Sequence, residues 1–292
     1  MLRLNKTFRN FPSQIGNYSV INKSHISDFG IDAYELKNSS TGARHFHMKR
    51  NDSNNLFNLG FKTTPMDDTG VAHILEHTVL CGSQKFPVRD PFFKMINRSL
   101  QTFMNAMTGP DYTMYPFSSM NTKDYNNLLK VYVDACFNPL LKKNDFLQEG
   151  WRLEHEDVMD DFSRIIIKGV VFNEMKGATD PDRIFYLAQQ NNLFPDHTYS
   201  CESGGEPLAI PNLTHENLVN FHKSHYHPAN SWCVTYGDSD VTSCLEYLEE
   251  QMSLLGDSTV ADTSVPLSKN FEEPKTVRVK CMSKGGKGPE NM

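Results

Sequence analysis

The run His73-Ile74-Leu75-Glu76-His77 constrains this chain more than any other stretch. Residues four apart lie one above the other on a helix face, so a helix here would aim both imidazoles at one metal ion. Glu76 would then sit beside that metal, where a carboxylate can take a proton from metal-bound water. The order H-x-x-E-H inverts the commoner zinc-peptidase order H-E-x-x-H. Two histidines do not complete a site, because catalytic zinc usually takes three protein ligands and keeps a fourth position open. A third ligand has to come from elsewhere. The chain has eleven histidines in 292 residues, so the five residues alone also fit an amphipathic helix with ordinary polar histidines.

The surroundings favour the metal helix. Asn55 to Thr64 alternates partly between apolar and polar residues, as a half-buried strand does. Pro65-Met66-Asp67-Asp68-Thr69-Gly70 is turn chemistry, with Asp68 or Thr69 suited to cap the helix that follows. Further strand signals fall at about 17–22, 32–37, 44–49, 101–107, 112–117 and 231–236. Helical patterns begin near Asp90 and cover about 122–136, 144–155, 169–178, 181–193, 214–225 and 240–253, with Asn138-Pro139 as a stop and Thr214 as a cap. This mixture predicts an α+β fold, a two-layer α/β domain with a largely antiparallel sheet.

Other features bound the function. The net charge of −6 argues against nucleic acid as an obligate partner and suits attraction of basic peptides. No run approaches 18 apolar residues, so no transmembrane helix is expected. The six cysteines are scattered without a C-x-x-C pair, a reduced, intracellular pattern. Residues 1–27 carry Arg3, Lys6, Arg9 and Lys23 and no acid, with Leu2, Leu4, Phe8 and Phe11 among the early charges, as in a mitochondrial targeting segment or an ordinary frayed terminus. His222, His225 and His227 form a histidine-rich tract that we read as packing or surface groups, and Phe92 and Phe93 as helix-face core. On residues alone, Glu174 fits either an exposed helix carboxylate or a buried one with a charged partner, and Glu149 is equally open.

Five stretches, in order, carry a resemblance: His73–Ser83, Arg89–Met95, Thr102–Thr108, Glu149–His155 and Gly169–Ala178. They resemble the pitrilysin family of inverted-zinc-motif metallopeptidases, and most closely its presequence-degrading branch, from about Ile15 to about Gly237. The resemblance implies one Zn²⁺ per chain held by His73, His77 and Glu174, with Glu76 as general base. It implies that Glu149 supports the site by accepting a hydrogen bond from a ligand imidazole. It also implies that the strand bearing Asn105 and Ala106 offers its edge to an extended peptide substrate. The expected location is the mitochondrial matrix, with the cytoplasm as the alternative. Relatives of this kind are much longer, with a second half that helps bind the substrate carbonyl. The expected layout is therefore a candidate targeting segment at 1–14, a zinc-bearing peptidase domain at 15–255, and a linker with the truncated start of a second domain at 256–292, where Thr276–Lys280 could begin a strand. The runner-up function is a zinc- and peptide-binding fragment that lacks, and is complemented by, that C-terminal half.

Overall fold

The computed structural model describes residues 11–255 and 260–280. Most of the candidate targeting segment and the glycine-rich stretch from 281 onward lie outside the described residues. Strands β1 (Gln14–Ile15), β2 (Tyr18–Ile26), β3 (Ile31–Asn38), β4 (Arg44–Lys49) and β5 (Asn55–Lys62) come first, followed by helices α1 (Val71–Val79) and α2 (Pro91–Ile96). Then come β6 (Gln101–Met104), β7 (Met107–Thr108), β8 (Tyr112–Ser119), α3 (Thr122–Phe137) and α4 (Lys143–Glu149). A hairpin of β9 (Arg152–His155) and β10 (Ile165–Lys168) leads into α5 (Val170–Gly177) and α6 (Pro181–Leu193). Helix α7 (His215–His225), strand β11 (Ser231–Gly237) and α8 (Val241–Ser253) complete the elements.

The main sheet runs β1-β2-β3-β4-β11-β5-β8-β6, with β7 also paired to β8. Every pairing is antiparallel except β4 with β11. The late strand β11 thus enters the middle of a sheet built from the first half of the chain. Alternation places one face of each central strand inward: Phe57, Leu59 and Phe61 of β5 are buried, and Phe57 and Leu59 lie opposite Phe117 and Tyr115 of β8. Helix α3 covers that face with Tyr125, Leu128 and Tyr132, whose rings meet Phe117 at 5.3 and 5.0 Å between centroids for the two tyrosines. Burying one such aromatic side chain is worth roughly 1.5–3 kcal/mol, so this layer fixes the sheet under the site. Asn121 caps α3 by accepting from the Asp124 N–H, and Thr214 caps α7 in a capping box with Asn217.

Three expectations are corrected. The helical pattern at 144–155 stops at Glu149, and Arg152–His155 is strand β9. The break lies where Gly150 and Gly169 touch: a Cβ on Gly169 would sit 2.0 Å from the Gly150 carbonyl oxygen. That close approach needs glycine and turns the chain away from the helix axis. The expected strand at 101–107 is split into β6 and β7 by Asn105 and Ala106. Thr276–Lys280 forms no strand; residues 260–280 have no regular structure and are tied down by single bonds, such as Ala261 N–H to the Ser224 carbonyl at 3.0 Å. No helix among the described residues is long and apolar enough to cross a membrane.

Candidate metal centre

Helix α1 starts without the expected side-chain cap. Its N-cap is Gly70 at φ 67°, while Asp67 bonds the Thr69 N–H and hydroxyl instead. The left-handed glycine lets the loop at 202–206 close over the helix start. A Cβ on Gly70 would lie 2.6 Å from Gly205 Cα. Asp68 holds that loop through its carboxylate to the Glu202 N–H at 2.7 Å and its carbonyl to the Glu206 N–H at 2.8 Å.

The loop matters because the Gly204 carbonyl lies 3.0 Å from His73 Nδ1. A carbonyl only accepts, so His73 carries its proton on Nδ1 and leaves Nε2 as a lone pair. His77 is fixed in the same way: its Nδ1 is 3.1 Å from Glu149 Oε2, and Glu149 Oε1 accepts from Gln148 Nε2 at 2.8 Å. Both Nε2 atoms face one point. Glu174, brought in by α5, places Oε2 at 3.8 Å from His73 Nε2 and 3.9 Å from His77 Nε2. Tetrahedral zinc with bonds near 2.0–2.1 Å holds its donors roughly 3.4 Å apart, so the three donors fit such an ion with a small inward movement. Among the described residues this is the group of three whose donor atoms, all within 4.8 Å of one another, converge in this way.

Charge around the site supports a cation. Glu149 is buried, which raises its pKa, but its bonds with His77 and Gln148 outweigh burial and hold it below the ordinary carboxylate range. For His77, burial lowers the pKa, yet the Glu149 bond and the charges of Glu76, Glu149 and Glu174 raise it overall. The same negative field would stabilise a bound dication. Glu76 is buried on α1 beside both histidines, and burial pushes its carboxyl up against the opposing pull of the Thr108 hydroxyl and the two imidazoles. Thr108 Oγ1 donates to Glu76 Oε2 at 2.6 Å.

These groups line a cleft of about 630 Å³, enough for a few substrate side chains. Asn105 and Ala106 form its far wall beside edge strand β6; Asn105 keeps its backbone N–H on the Pro116 carbonyl at 3.0 Å. Phe92 is buried as expected, but Phe93 is 64% exposed and lines the cleft instead of joining the core. The helix presenting it is only six residues long, with Asp90 as its left-handed N-cap, and adjacent residues on a helix point about 100° apart, so Phe93 turns outward when Phe92 is buried. The tract His222–His227 packs as read: His222 lies 2.8 Å from the Cys136 carbonyl, and His227 caps the turn at Pro228. Neither Thr108 nor the Gly204 carbonyl is among the site groups expected from the sequence. Thr108 ends the stretch Thr102–Thr108 that carries the resemblance, but a backbone acceptor leaves no side-chain signal.

Comparison with known proteins decides the family. The family described as "Insulinase (Peptidase family M16)" matches residues 56–170, and "Peptidase M16 inactive domain" matches residues 212–290. The chain belongs to peptidase family M16.

Among M16 relatives, the mitochondrial presequence protease of Danio rerio is 54% identical over 269 residues, covering 92% of this chain and 26% of the relative. That of Mus musculus is 51% identical over 280 residues, covering 96% and 26%. The Schizosaccharomyces pombe protein is 49% identical over 249 residues, covering 85% and 25%. The chain thus spans about a quarter of the length of these relatives. Two solved structures share the fold: pitrilysin (TM-score 0.62, 17% identity, 85% of this chain and 26% of that one) and a protease from Helicobacter pylori (0.62, 18%, 81% and 53%). The second M16 match includes β11, which lies between β4 and β5, so both matched stretches share one sheet. Membership of a metallopeptidase family implies a metal ion, and the His73–His77–Glu174 group is where the donors to hold one converge.

Proposed function

We propose that this chain is the zinc-bearing part of a metallo-endopeptidase that degrades unstructured peptides, in particular mitochondrial targeting presequences after their removal, in the matrix. The observation that carries the reading is the convergence of three metal donors beside a buried carboxylate at the wall of a cleft. His73, His77 and Glu174 hold one Zn²⁺ per chain, and Glu149 keeps His77 in the ligating tautomer. When bound, zinc supplies Lewis acidity to the attacking water and the scissile carbonyl. Glu76 accepts the proton from that water on Oε1, since Oε2 is taken by Thr108, and delivers it to the leaving amine nitrogen. An extended peptide adds to the β6 edge near Asn105 and Ala106 through main-chain hydrogen bonds, which are indifferent to side-chain identity. Basic presequences are drawn to a chain of net charge −6.

A second reading rests on one fact: the chain spans about a quarter of its relatives. In that reading residues 15–255 form a zinc domain that binds peptide, and turnover needs a complementing C-terminal half to stabilise the developing oxyanion and exclude water. Hydrolysis of a fluorogenic basic peptide by the purified chain, with zinc measured on the same sample, separates the two. Cleavage abolished by a chelator and by Glu76→Gln, with zinc still bound in the variant, supports the peptidase. One zinc and no cleavage supports the fragment, and turnover by zinc-loaded Glu76→Gln removes Glu76 from its role.

A further inference from the structure

We propose that Thr108 is a positioning residue for Glu76: its hydroxyl clamps one carboxylate oxygen so that the other faces the metal donors. The inference rests on the reading of Glu76 as general base. The Thr108 Oγ1 to Glu76 Oε2 distance of 2.6 Å is that of a charge-assisted O–H···O⁻ bond. An ionised carboxylate only accepts, so the Thr108 proton points at Glu76 and its lone pairs point back into the sheet.

There they meet further hydroxyls. Thr113 Oγ1 lies 3.4 Å from Thr108 Oγ1, and Thr63 Oγ1 lies 2.8 Å from Thr113 Oγ1. Thr63 and Thr113 are fully buried. Thr108 gives its one proton to Glu76, so these buried hydroxyls sit on the accepting side of Thr108 and hold its oxygen in a polar part of the sheet. The backbone fixes the geometry independently. Thr108 lies opposite Thr113 in the β7–β8 ladder, and the turn between them closes with the Gly109 N–H on the Tyr112 carbonyl at 2.7 Å. A rigid hairpin therefore carries the hydroxyl to the base. A carboxylate held at one oxygen loses the freedom to rotate its basic oxygen away from the reacting water.

The test compares wild type, Thr108→Val, Thr108→Ser and Glu76→Gln. Valine keeps the shape and β propensity but has no proton to donate; serine restores the donor. Two readouts are taken on zinc-loaded protein: kcat and KM for peptide cleavage, and the ¹³C resonance of the Glu76 side-chain carboxyl, assigned by its loss in Glu76→Gln. The expected result for Thr108→Val is a fall in kcat of about tenfold to a hundredfold, the range for one hydrogen bond to a charged group. KM stays within about twofold and the Glu76 resonance moves. Thr108→Ser recovers both kcat and resonance. Wild-type kcat in Thr108→Val, or an unmoved resonance, overturns the proposal, as does a failure of serine to rescue. If wild type shows no turnover, the functional reading is what fails, and the resonance alone decides the clamp: a shift in the valine variant reversed by serine supports it, and no shift overturns it.

Discussion

Glu149 reaches the metal donors only through His77. Its Oε2 at 3.1 Å from His77 Nδ1 sets the tautomer, and Gln148 holds the opposite oxygen. Removing such a partner typically costs 10- to 100-fold in metal affinity. We expect Glu149→Ala to weaken zinc binding by about that factor, measured by competition with a chromophoric chelator. Glu149→Gln, whose amide oxygen still accepts from Nδ1, should lose much less. Equal losses in both would mean that the negative charge, not the hydrogen bond, supports the site. Residues of this kind differ in how far a sequence announces them. His73, Glu76 and His77 are legible because one helical turn brings them together, a local relation that spacing expresses directly. Glu149 and Glu174 are legible only through resemblance, since nothing in their own segments aims them at α1. The Gly204 carbonyl, 131 residues from His73, could not be read at all, because any residue supplies the same acceptor.

At the scale of elements, the parallel pair β4–β11 buries two histidines against one threonine. Thr235 Oγ1 lies 2.8 Å from His45 Nε2 and 2.9 Å from His47 Nδ1, and His45 Nδ1 has no hydrogen-bond partner among the described residues. Burial, with repulsion from His47, pushes His45 down to about 3. Burial, with Lys49, pushes His47 down to about 4 against a smaller opposing pull from Asp240. Both pKa values are depressed on folding, so below about pH 6.5 the unfolded chain binds protons that the folded strands refuse. Their contribution to stability is complete above that pH and is lost progressively as pH falls toward 4 and 3. Each excluded proton costs about 1.4 kcal/mol per pH unit in that window. Between pH 7.5 and 5.5 these two histidines should therefore account for a loss of roughly 1–3 kcal/mol in urea denaturation, to which His222 and His225, also lowered by burial, add in the same sense. In His45→Leu, which removes a titrating group with an unpartnered nitrogen, the loss should shrink. The comparison also cancels His77, whose raised pKa works in the opposite sense. Unchanged pH dependence in the variant would show that His45 protonates freely in the folded sheet. Strand β4 itself was readable, since six residues of strand-like pattern suffice. Its parallel partner was not, because pairing across more than 180 residues leaves no periodic mark on either strand. The same limit explains β9: Arg152–His155 continues a helical pattern, but Gly150 ends α4 and the residues after it pair with β10.

Across the whole molecule, the candidate site joins two core-packed helices, α1 and α5, through side chains that differ in exposure. His73 and His77 stand on α1, packed into the core by Ile74, Leu75 and Val79, whereas the Glu174 side chain is 54% exposed on α5. Beyond α5, helix α6 has no buried residue, and the β9–β10 hairpin leaves Met159 and Phe162 at 93% and 98% exposure. Helix α5 packs into the core through Val171, Phe172 and Met175, so a metal bound at all three donors would tie its exposed face to α1 and brace the less buried elements on either side of it. By linkage, an ion that binds only the folded chain stabilises it by about 4 kcal/mol at a thousand times its dissociation constant. For a chain of this size that corresponds to a rise in Tm of roughly 7 °C. Thermal unfolding with excess zinc against chelator should show a shift of this order. His73→Ala should abolish it, and Glu174→Ala should reduce it while the chelated Tm stays near that of wild type, since the Glu174 side chain is largely solvated without the ion. The element that loosens first on chelation should be α5 with the hairpin before it, seen as faster amide exchange at 152–177 than in α3. A zinc-dependent shift that survives both substitutions would place the ion elsewhere. An unchanged Tm with stoichiometric zinc would mean that the unfolded chain binds the ion as tightly as the folded one.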